Sequence, residues 1–440
     1  MTTHPWPMGR ADLARLGAMG FPLAFVALPL YVVLPHHYAN TYALPLAWIG
    51  ALLLSARLGD ALIDPWLGRR TDAWFAQSRQ QVMRGAQGSA LLLALGLGLL
   101  FFPHVVLPAH AAPAALMGVA ALALASCCLG LSLLSLTHQS WGARMGGDES
   151  QRSQLVGWRE GLGLLGVISA SALSATWGVL AMVLAFALCL GLGLWAWRQA
   201  PAPAMGEASP SNPPPANTLR AQGMAAPLGA PLFRRLLTVF VLNGIASAIP
   251  ATLVLFFVQD RLQAAPGQEA VFLAVYFCAA ALSMPLWLAA VRRWGLVHSW
   301  LLGMGLAMAV FIWTLALGSG DTLAFALVCA LSGLSLGADV IAPGALLTGV
   351  VQRLGQDQSH QGLFWGWWQV ATKLNLALAA GLALPALQWW GYTPGQRDDA
   401  GLWALSCAYG LIPCLLKAAA ALYLWQQRHT WTPQPPMEKP

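Results

Sequence analysis

Apolar runs of about twenty residues recur along the whole chain, and no other feature constrains its fold as strongly. A helix of that length is about 30 Å long, which matches the hydrocarbon core of a bilayer. The chain is 58% hydrophobic and 9% charged, whereas soluble domains carry about 25% charged residues. Because lipid offers the backbone no hydrogen bonds, such runs must cross it as helices. The sequence therefore predicts an all-α integral membrane protein.

Twelve transmembrane helices are predicted, arranged as two six-helix halves. Residues 199–231 are rich in Pro and Ala and lack hydrophobic periodicity, which is typical of a flexible linker. The predicted domains are an N-terminal half at 1–198, a cytoplasmic linker at 199–231 and a C-terminal half at 232–440. The predicted spans lie at about 16–35, 42–66, 86–103, 113–140, 154–177, 178–198, 235–259, 269–291, 299–317, 322–350, 362–390 and 401–426.

The positions of Lys and Arg predict the orientation in the membrane. With both termini in the cytoplasm, only Arg261 and Arg397 fall in loops on the outer side. Cytoplasmic loops of membrane proteins carry an excess of Lys and Arg. We therefore expect a multi-pass protein of the cell membrane with both termini inside. The net charge of +7 is dispersed between apolar segments, so no nucleic-acid partner is expected.

Three charged residues interrupt the second span. Asp60 and Asp64 are one helical turn apart and Arg57 lies one turn before Asp60, so all three share a face. Three charges at the bilayer centre oppose insertion by roughly 8–10 kcal/mol on insertion scales. One Arg cannot neutralise two carboxylates, so a second cation is needed, and Lys373, a proton or Na⁺ are the candidates. The pattern predicts a cation site at Asp60 and Asp64; an ion-pair network that only holds helices together is the alternative.

Other polar side chains inside the predicted spans are candidates for a substrate cavity, because intramembrane polar groups are rarely placed without a function. Lys373 lies about ten residues from the nearer end of its span, too deep to reach the interface easily. Lys417 is expected instead to extend to the interface from a peripheral helix. His138 is expected either to relay protons or to pack through a hydrogen bond. The candidate cavity and coupling residues are Arg57, Thr137, His138, Trp141, Arg159, Asp339, Gln369 and Lys373.

The two halves repeat several short features. The sequence Gly-Leu-Ser-Leu begins at Gly130 in the fourth span and again at Gly333 in the tenth, and paired arginines follow the second and eighth spans. These equivalent positions favour an internal duplication. Two six-helix halves around a central cavity, with the substrate at their interface, are the arrangement of major-facilitator transporters.

The second span resembles the helix II signature of the glycoside–pentoside–hexuronide:cation symporter family. In that family the two aspartates bind the coupling cation, which is Na⁺, Li⁺ or H⁺, so the resemblance implies this role for Asp60 and Asp64. Trp141, Arg159 and Lys373 also match residues that the family places around its cation and sugar sites. The matching motif is Ala56-Arg57-x-x-Asp60-Ala61-x-x-Asp64-Pro65-x-x-Gly68.

Two acidic residues of that family are replaced here. Its carboxylates on the first and fourth helices hold sugar hydroxyls, and the matching positions carry Pro22 and Thr137. Asp339 is a candidate replacement from the C-terminal half. The chain keeps Gly68-x-x-x-Asp72 of the major-facilitator gating motif without the basic run that follows it, which leaves the gating role of Gly68 and Asp72 open.

The sequence thus predicts a secondary active transporter, a Na⁺- or H⁺-coupled symporter of a small polar solute such as a sugar or glycoside, working by alternating access. An exporter or carrier of amphiphiles, lysolipids or drugs on the same fold is the alternative, and a sensor built on a transporter scaffold is a third. Enzyme activity is not expected, because paired catalytic acids usually lie on different helices. The expected partners are a small-molecule substrate and the lipid bilayer; we expect a monomer, and no cofactor or metal besides the coupling ion.

Overall fold

The computed structural model describes residues 8–42, 44–108, 112–203, 223–265, 267–354, 360–393, 395 and 398–431. Within these ranges the protein is helical and contains no β-strand. Twelve long helices follow the twelve predicted spans, which confirms the predicted fold class. In chain order they are α1 (Arg10–Gly17, Gly20–Phe25, Pro29–Val33 and Leu34–Tyr42), α2 (Leu46–Gln77), α3 (Arg79–Phe101), α4 (Pro113–Arg144), α5 (Glu149–Thr176), α6 (Gly178–Gln199), α7 (Pro231–Phe256, continued by the π-helical turn Phe257–Arg261), α8 (268–294), α9 (296–311), α10 (Thr322–Arg353), α11 (Gln361–Trp389) and α12 (Asp399–Ser406, Cys407–Leu411 and Ile412–Gln426).

The helices differ in how apolar they are. In the described parts of the chain, seven helical stretches are long and apolar enough to cross a membrane by length and composition alone. Helices α1, α2, α5 and α11 are not among them, and the last three carry most of the charged candidates, including Asp60, Arg159 and Lys373. The polar residues that weaken the hydropathy signal are therefore concentrated on a few helices.

Helices α8 and α9 join without a loop at Gly295. This residue has φ of 79° and ψ of 171°, a backbone conformation that favours glycine because a side chain would be strained there. The Glu149 carboxylate accepts a hydrogen bond from the backbone N–H of Leu296 at 3.0 Å. It thereby satisfies one of the N–H groups that have no partner within the first turn of α9. Two spans predicted with a separating loop, 269–291 and 299–317, are thus separated by a single-residue break.

The helices cluster into two compact units, each with its own core. Trp141 and Trp197 pack edge to face in the first unit, with ring centroids 5.5 Å apart. Phe257 and Tyr409 stack in the second, with centroids 4.3 Å apart. The first unit comprises Met1–Gly147, Gln154–Pro227 and Val351–Val370, and the second comprises Asp148–Ser153, Leu228–Val350 and Ala371–Pro440.

The predicted linker is described only at its two ends. Residues 204–222 lie outside the described residues. The carbonyl of Pro201 accepts a hydrogen bond from the Trp141 indole at 3.1 Å, and the carbonyl of Met224 accepts one from the Trp367 indole at 2.8 Å. A short helix, Ala226–Gly229, precedes α7. The division of the chain into two halves at 199–231 stays a prediction.

Candidate functional site

The two acids of α2 are buried inside the first unit. Asp60 is 5% exposed and Asp64 is fully buried, whereas Leu62 between them is 82% exposed. Helix α2 therefore turns an apolar face outward from this unit and both carboxylates inward. This placement agrees with the shared face predicted from their spacing.

Ser132 of α4 contacts the first of these acids. Its hydroxyl donates a hydrogen bond to Oδ1 of Asp60 at 2.7 Å, and the serine side chain is itself buried. Sequence reasoning did not select Ser132, although it lies in the Gly-Leu-Ser-Leu segment that recurs in α10. A hydroxyl can donate to a carboxylate and can also present an oxygen to a small cation. The cluster is thus built from oxygen atoms.

The backbone around Asp64 adds another oxygen. Pro65 lies inside α2 and has no N–H, so the carbonyl of Ala61, one turn earlier, lacks its usual intrahelical donor. Gly366 of α11 lies directly against this turn, since a Cβ on it would be 2.7 Å from the Asp64 carbonyl oxygen. Two carboxylates and a backbone carbonyl of α2, together with a hydroxyl of α4, are ligands of the kind that hard cations prefer.

The two basic residues that the sequence suggested as partners of the acids are partly buried. Arg57 is half-buried one turn before Asp60 on α2. Lys373 is half-buried on the segment of α11 that belongs to the second unit. Their participation in coupling stays a prediction.

Asp72 holds the beginning of α11. One carboxylate oxygen accepts from the Arg144 guanidinium at 2.6 Å and from the backbone N–H of Gly362 at 2.7 Å, and the other accepts from the N–H of Leu363 at 3.0 Å. A carboxylate at a helix N-terminus satisfies free N–H groups and is favoured by the helix dipole. The sequence offered Asp72 as a candidate gating residue, left that role open and gave no partner for it; Arg144 was not predicted.

The backbones of α2 and α11 touch beside this carboxylate. A Cβ on Gly68 would lie 2.0 Å from the carbonyl oxygen of Gly362, so no side chain fits between the two helices. The Arg144 guanidinium also lies over the ring of Phe75, with its central carbon 4.0 Å from the ring centroid. Gly68 and Asp72, predicted from one motif, thus take part in one contact with α11.

Three candidates on α4 have packing partners inside the first unit. The Thr137 hydroxyl donates to the carbonyl of Leu133 on its own helix at 2.6 Å. A ring nitrogen of His138 lies 2.7 Å from the carbonyl oxygen of Leu16 on α1. Trp141 is fully buried and, as described above, bonds Pro201. These contacts favour the packing alternative for His138, and the cavity role of all three stays a prediction.

Arg159 and Gln369 connect helices of the first unit. The Arg159 guanidinium bonds the neighbouring Glu160 carboxylate at 2.8 Å, and its central carbon is 5.9 Å from the centroid of the Trp365 ring on α11. The amide of Gln369 donates to the side-chain oxygen of Gln139 at 3.2 Å. Both predicted residues therefore lie where α11 meets α4 and α5 within this unit.

Lys417 departs from the sequence expectation. Its side chain was expected to extend to the membrane interface, but it is 7% exposed and its ammonium lies 2.7 Å from Oδ2 of Asp339. The ammonium also donates to Asn243 at 2.7 Å and to Ser247 at 3.3 Å. Three acceptors match the three protons of an ammonium, which offsets the loss of hydration on burial. The expectation of an interfacial lysine is wrong.

Asp339 is the centre of this buried network in the second unit. Its other carboxylate oxygen accepts from the Asn243 amide at 3.0 Å and from the Trp300 indole at 2.9 Å. The network joins α7, α9, α10 and α12. The role of Asp339 as a replacement sugar ligand stays a prediction, and the structure shows it engaged by Lys417.

The sequence profile of the family described as MFS/sugar transport protein matches residues 15–428 of the chain. No curated protein sequence matches it. The fold is similar to that of a bacterial homologue of the iron transporter ferroportin in an outward-facing state, with a TM-score of 0.71, 15% identity, and coverage of 95% of this chain and 98% of that one.

Two sugar symporters also share the fold. The E. coli fucose:proton symporter FucP has a TM-score of 0.65 and 16% identity, over 94% of this chain and 98% of that one. The proton:xylose symporter XylE has a TM-score of 0.64 and 14% identity, over 96% of this chain and 98% of that one. The profile match covers most of the chain, and the structural likeness shows the same twelve-helix fold. The chain therefore belongs to the major facilitator superfamily, in its family of MFS/sugar transport proteins, and is a multi-pass membrane transporter.

Proposed function

We propose that this transporter is a cation-coupled symporter that carries a small polar solute, in the first instance a sugar or glycoside, together with Na⁺ or H⁺. The observation that carries the proposal is the buried pair Asp60 and Asp64 on one face of α2, with the Ser132 hydroxyl hydrogen-bonded to Asp60. Two carboxylates held in a low-dielectric interior attract a small cation or a proton strongly. The proposal includes assignment to the glycoside–pentoside–hexuronide:cation symporters, on the helix II motif.

Coupling follows from the charge of the pair. A bound Na⁺ or proton neutralises part of the negative charge, which favours the states in which the pair is shielded from water. Alternating access then carries ion and solute together. The dependence of each ligand's affinity on the other must be reciprocal, and it is typically about 1–3 kcal/mol.

Helix α11 connects the acidic pair, Asp60 and Asp64, to the contact at Asp72. Its first turns rest on α2 at two points, Gly362 against Gly68 and Gly366 against the backbone of Asp64. We propose that the cap formed by Asp72 on α11 opens and closes during the transport cycle, and that the ion at Asp64 acts on it through these contacts. Gly68 and Asp72 are then gating residues.

Replacing Asp72 with Ala is expected to loosen the start of α11, because hydrogen bonds to a charged group are each worth about 1.5–3 kcal/mol. Hydrogen–deuterium exchange of the segment that contains Gly362 and Leu363 should become faster. Asp148→Ala is the matched control, since Asp148 caps the backbone N–H of Gln151 rather than α11. Unchanged exchange at Gly362 and Leu363 in the Asp72 variant would contradict the capping role.

Replacing Ser132 with Ala is expected to change the affinity for the coupling ion about tenfold, with a sign that identifies the ion. Na⁺ binding should weaken because a ligand oxygen is lost, whereas proton binding should strengthen because the ionised Asp60 loses a hydrogen bond that favours its charged form. The measurement is the ion concentration that half-maximally stabilises the purified protein against heat. Ser126→Ala on the same helix is the control, because the Ser126 hydroxyl bonds the carbonyl of Leu122 on its own helix. Equal ion responses in both variants would remove Ser132 from the site.

Uptake by proteoliposomes tests the function itself. A panel of radiolabelled sugars and glycosides is offered under an imposed Na⁺ gradient, an imposed pH gradient, or neither. The proposal expects at least one solute to accumulate only when one of the two gradients is present. Accumulation that depends on neither gradient would contradict symport. Absence of counterflow for every solute would favour the third alternative, a sensor built on a transporter scaffold.

A carrier or exporter of amphiphiles, lysolipids or drugs is the second candidate. It is favoured because Pro22 and Thr137 stand at the two positions where the resembled family has sugar-binding carboxylates. Both residues are buried, and the Thr137 hydroxyl donates to a carbonyl of its own helix, α4. A thermal-shift screen of sugars against amphiphiles, with and without Na⁺, separates the candidates. Stabilisation by amphiphiles alone would support the second.

We propose that the protein is a monomer of the cell membrane with both termini in the cytoplasm, and that it needs no cofactor besides the coupling ion. The excess of Lys and Arg in the loops predicted to be cytoplasmic supports this orientation.

A further inference from the structure

A groove of about 920 Å³ runs between α9 and α12 on the surface of the second unit. It begins at an aromatic end, where the rings of His298 and Trp425 have centroids 6.3 Å apart, and extends along α9 as far as Met308. The ten residues from His298 to Met308 correspond to about 15 Å of helix. The lining side chains are Trp294, His298, Leu302, Ala418, Leu422 and Trp425, with Leu301, Met308 and Ala421 completing the wall.

Two arginines stand at the aromatic end of the groove. The guanidinium carbon of Arg428 lies 4.2 Å from the centroid of the Trp425 ring, and that of Arg293 lies 5.5 Å from the centroid of the Trp294 ring. Arg428 also donates to the carbonyl of Trp425 at 3.1 Å. Among the described residues that line the groove, none is acidic. We call Arg293, Trp294, Trp425 and Arg428 the rim.

The rim has the composition of a site at the membrane surface. Tryptophans are enriched at the boundary between acyl chains and headgroups, with their rings partly apolar and partly hydrated. Trp294 and Trp425 are each about half exposed, at 49% and 46%. Arginine matches the geometry of a phosphate with paired hydrogen bonds, and basic pockets between transmembrane helices bind phospholipid headgroups.

We infer that this groove binds a diacyl phospholipid with an anionic headgroup. The phosphate lies between Arg293 and Arg428, and an acyl chain runs along the apolar wall toward Met308. Acyl chains cover any apolar surface in a bilayer, so the specific element is the pair of guanidinium groups at the end of a groove that a chain fills. The lipid site does not use Asp60 or Asp64 and is independent of the proposed symport.

Native mass spectrometry of the detergent-purified full chain tests this inference. The probes are dioleoyl phosphatidylglycerol and dioleoyl phosphatidylcholine, which share acyl chains and differ in net charge. We expect tighter binding of phosphatidylglycerol, and we expect Arg293→Gln with Arg428→Gln to weaken it about thirtyfold, or about fivefold for each arginine near a membrane surface. Arg234→Gln with Arg235→Gln is the control, because it removes the same charge from the start of α7.

A second variant tests the apolar wall of the groove separately from the two arginines. Ala418 lines the groove and is exposed, so Ala418→Trp fills the apolar wall while keeping both arginines and leaving the core intact. It is expected to abolish the tight binding of phosphatidylglycerol. Retained tight binding in this variant, equal loss in the Arg234 and Arg235 control, or equal binding of the two lipids by the unmodified protein would each overturn the inference.

Discussion

Replacing Asp64 with Asn is expected to abolish the response of the protein to its coupling ion. The carboxamide keeps the shape of the side chain and removes the charge that holds the cation, so stabilisation by Na⁺ or by protons should disappear. A ligand present at a hundred times its dissociation constant stabilises the native state by about 2.7 kcal/mol, which is a readily measured shift in melting temperature. In proteoliposomes the same variant should show no gradient-driven uptake of the solute that the unmodified protein accumulates.

Asp260→Asn provides the matched control for this prediction. Asp260 is also a buried acid, but it accepts hydrogen bonds from the hydroxyl of Tyr392 and from the N–H of Gly395 in the second unit. Burial and the bond to Asp260 raise the pKa of Tyr392. The control variant should be less stable and keep its ion response. An Asp64 variant that responds to the ion as the unmodified protein does would refute the assignment of the site.

Replacing Lys417 with Met should lower the free energy of unfolding by about 3–5 kcal/mol, because it leaves the carboxylate of Asp339 buried without its cation. Combining it with Asp339→Asn should recover most of that loss, since the remaining groups are neutral and Asn can still accept from Trp300. Thermal denaturation of the four proteins of this double-mutant cycle measures the coupling.

The control for the cycle is the single variant Asp339→Asn, which leaves the ammonium buried and should also be strongly destabilised. If Lys417→Met were as stable as the unmodified protein, the lysine would not depend on its pairing with Asp339. The interfacial position expected from the sequence would then be the better description of its side chain.

Hydropathy and helical periodicity predict much of this molecule. The apolar runs define the helices to within a few residues at most ends. The four-residue spacing of Asp60 and Asp64 places both acids on one side of α2, because that relation depends only on the geometry of a single helix. Where helices extend beyond the apolar runs, as α2 does to Gln77, the sequence underestimates them because polar ends lie outside the bilayer core.

Contacts between distant segments could not be predicted in the same way. Ser132 lies 72 positions from Asp60, and Lys417 lies 78 positions from Asp339. Each of these polar side chains looks like an isolated interruption of an apolar run, and only the packing of separate helices decides which of them meet. The cap of Asp72 on α11, 290 positions away at Gly362, depends on a helix crossing that no local pattern encodes.

The most direct test of the central claim needs no knowledge of the solute. Proteoliposomes adsorbed on a solid-supported membrane are exposed to a rapid step in Na⁺ concentration or in pH, and the transient current that follows ion binding is recorded. The account predicts a current for one of these ions in the unmodified protein and its loss in the Asp60→Asn, Asp64→Asn double variant. An unmodified protein that gives no current for either ion, or a double variant that gives the same current, would contradict it.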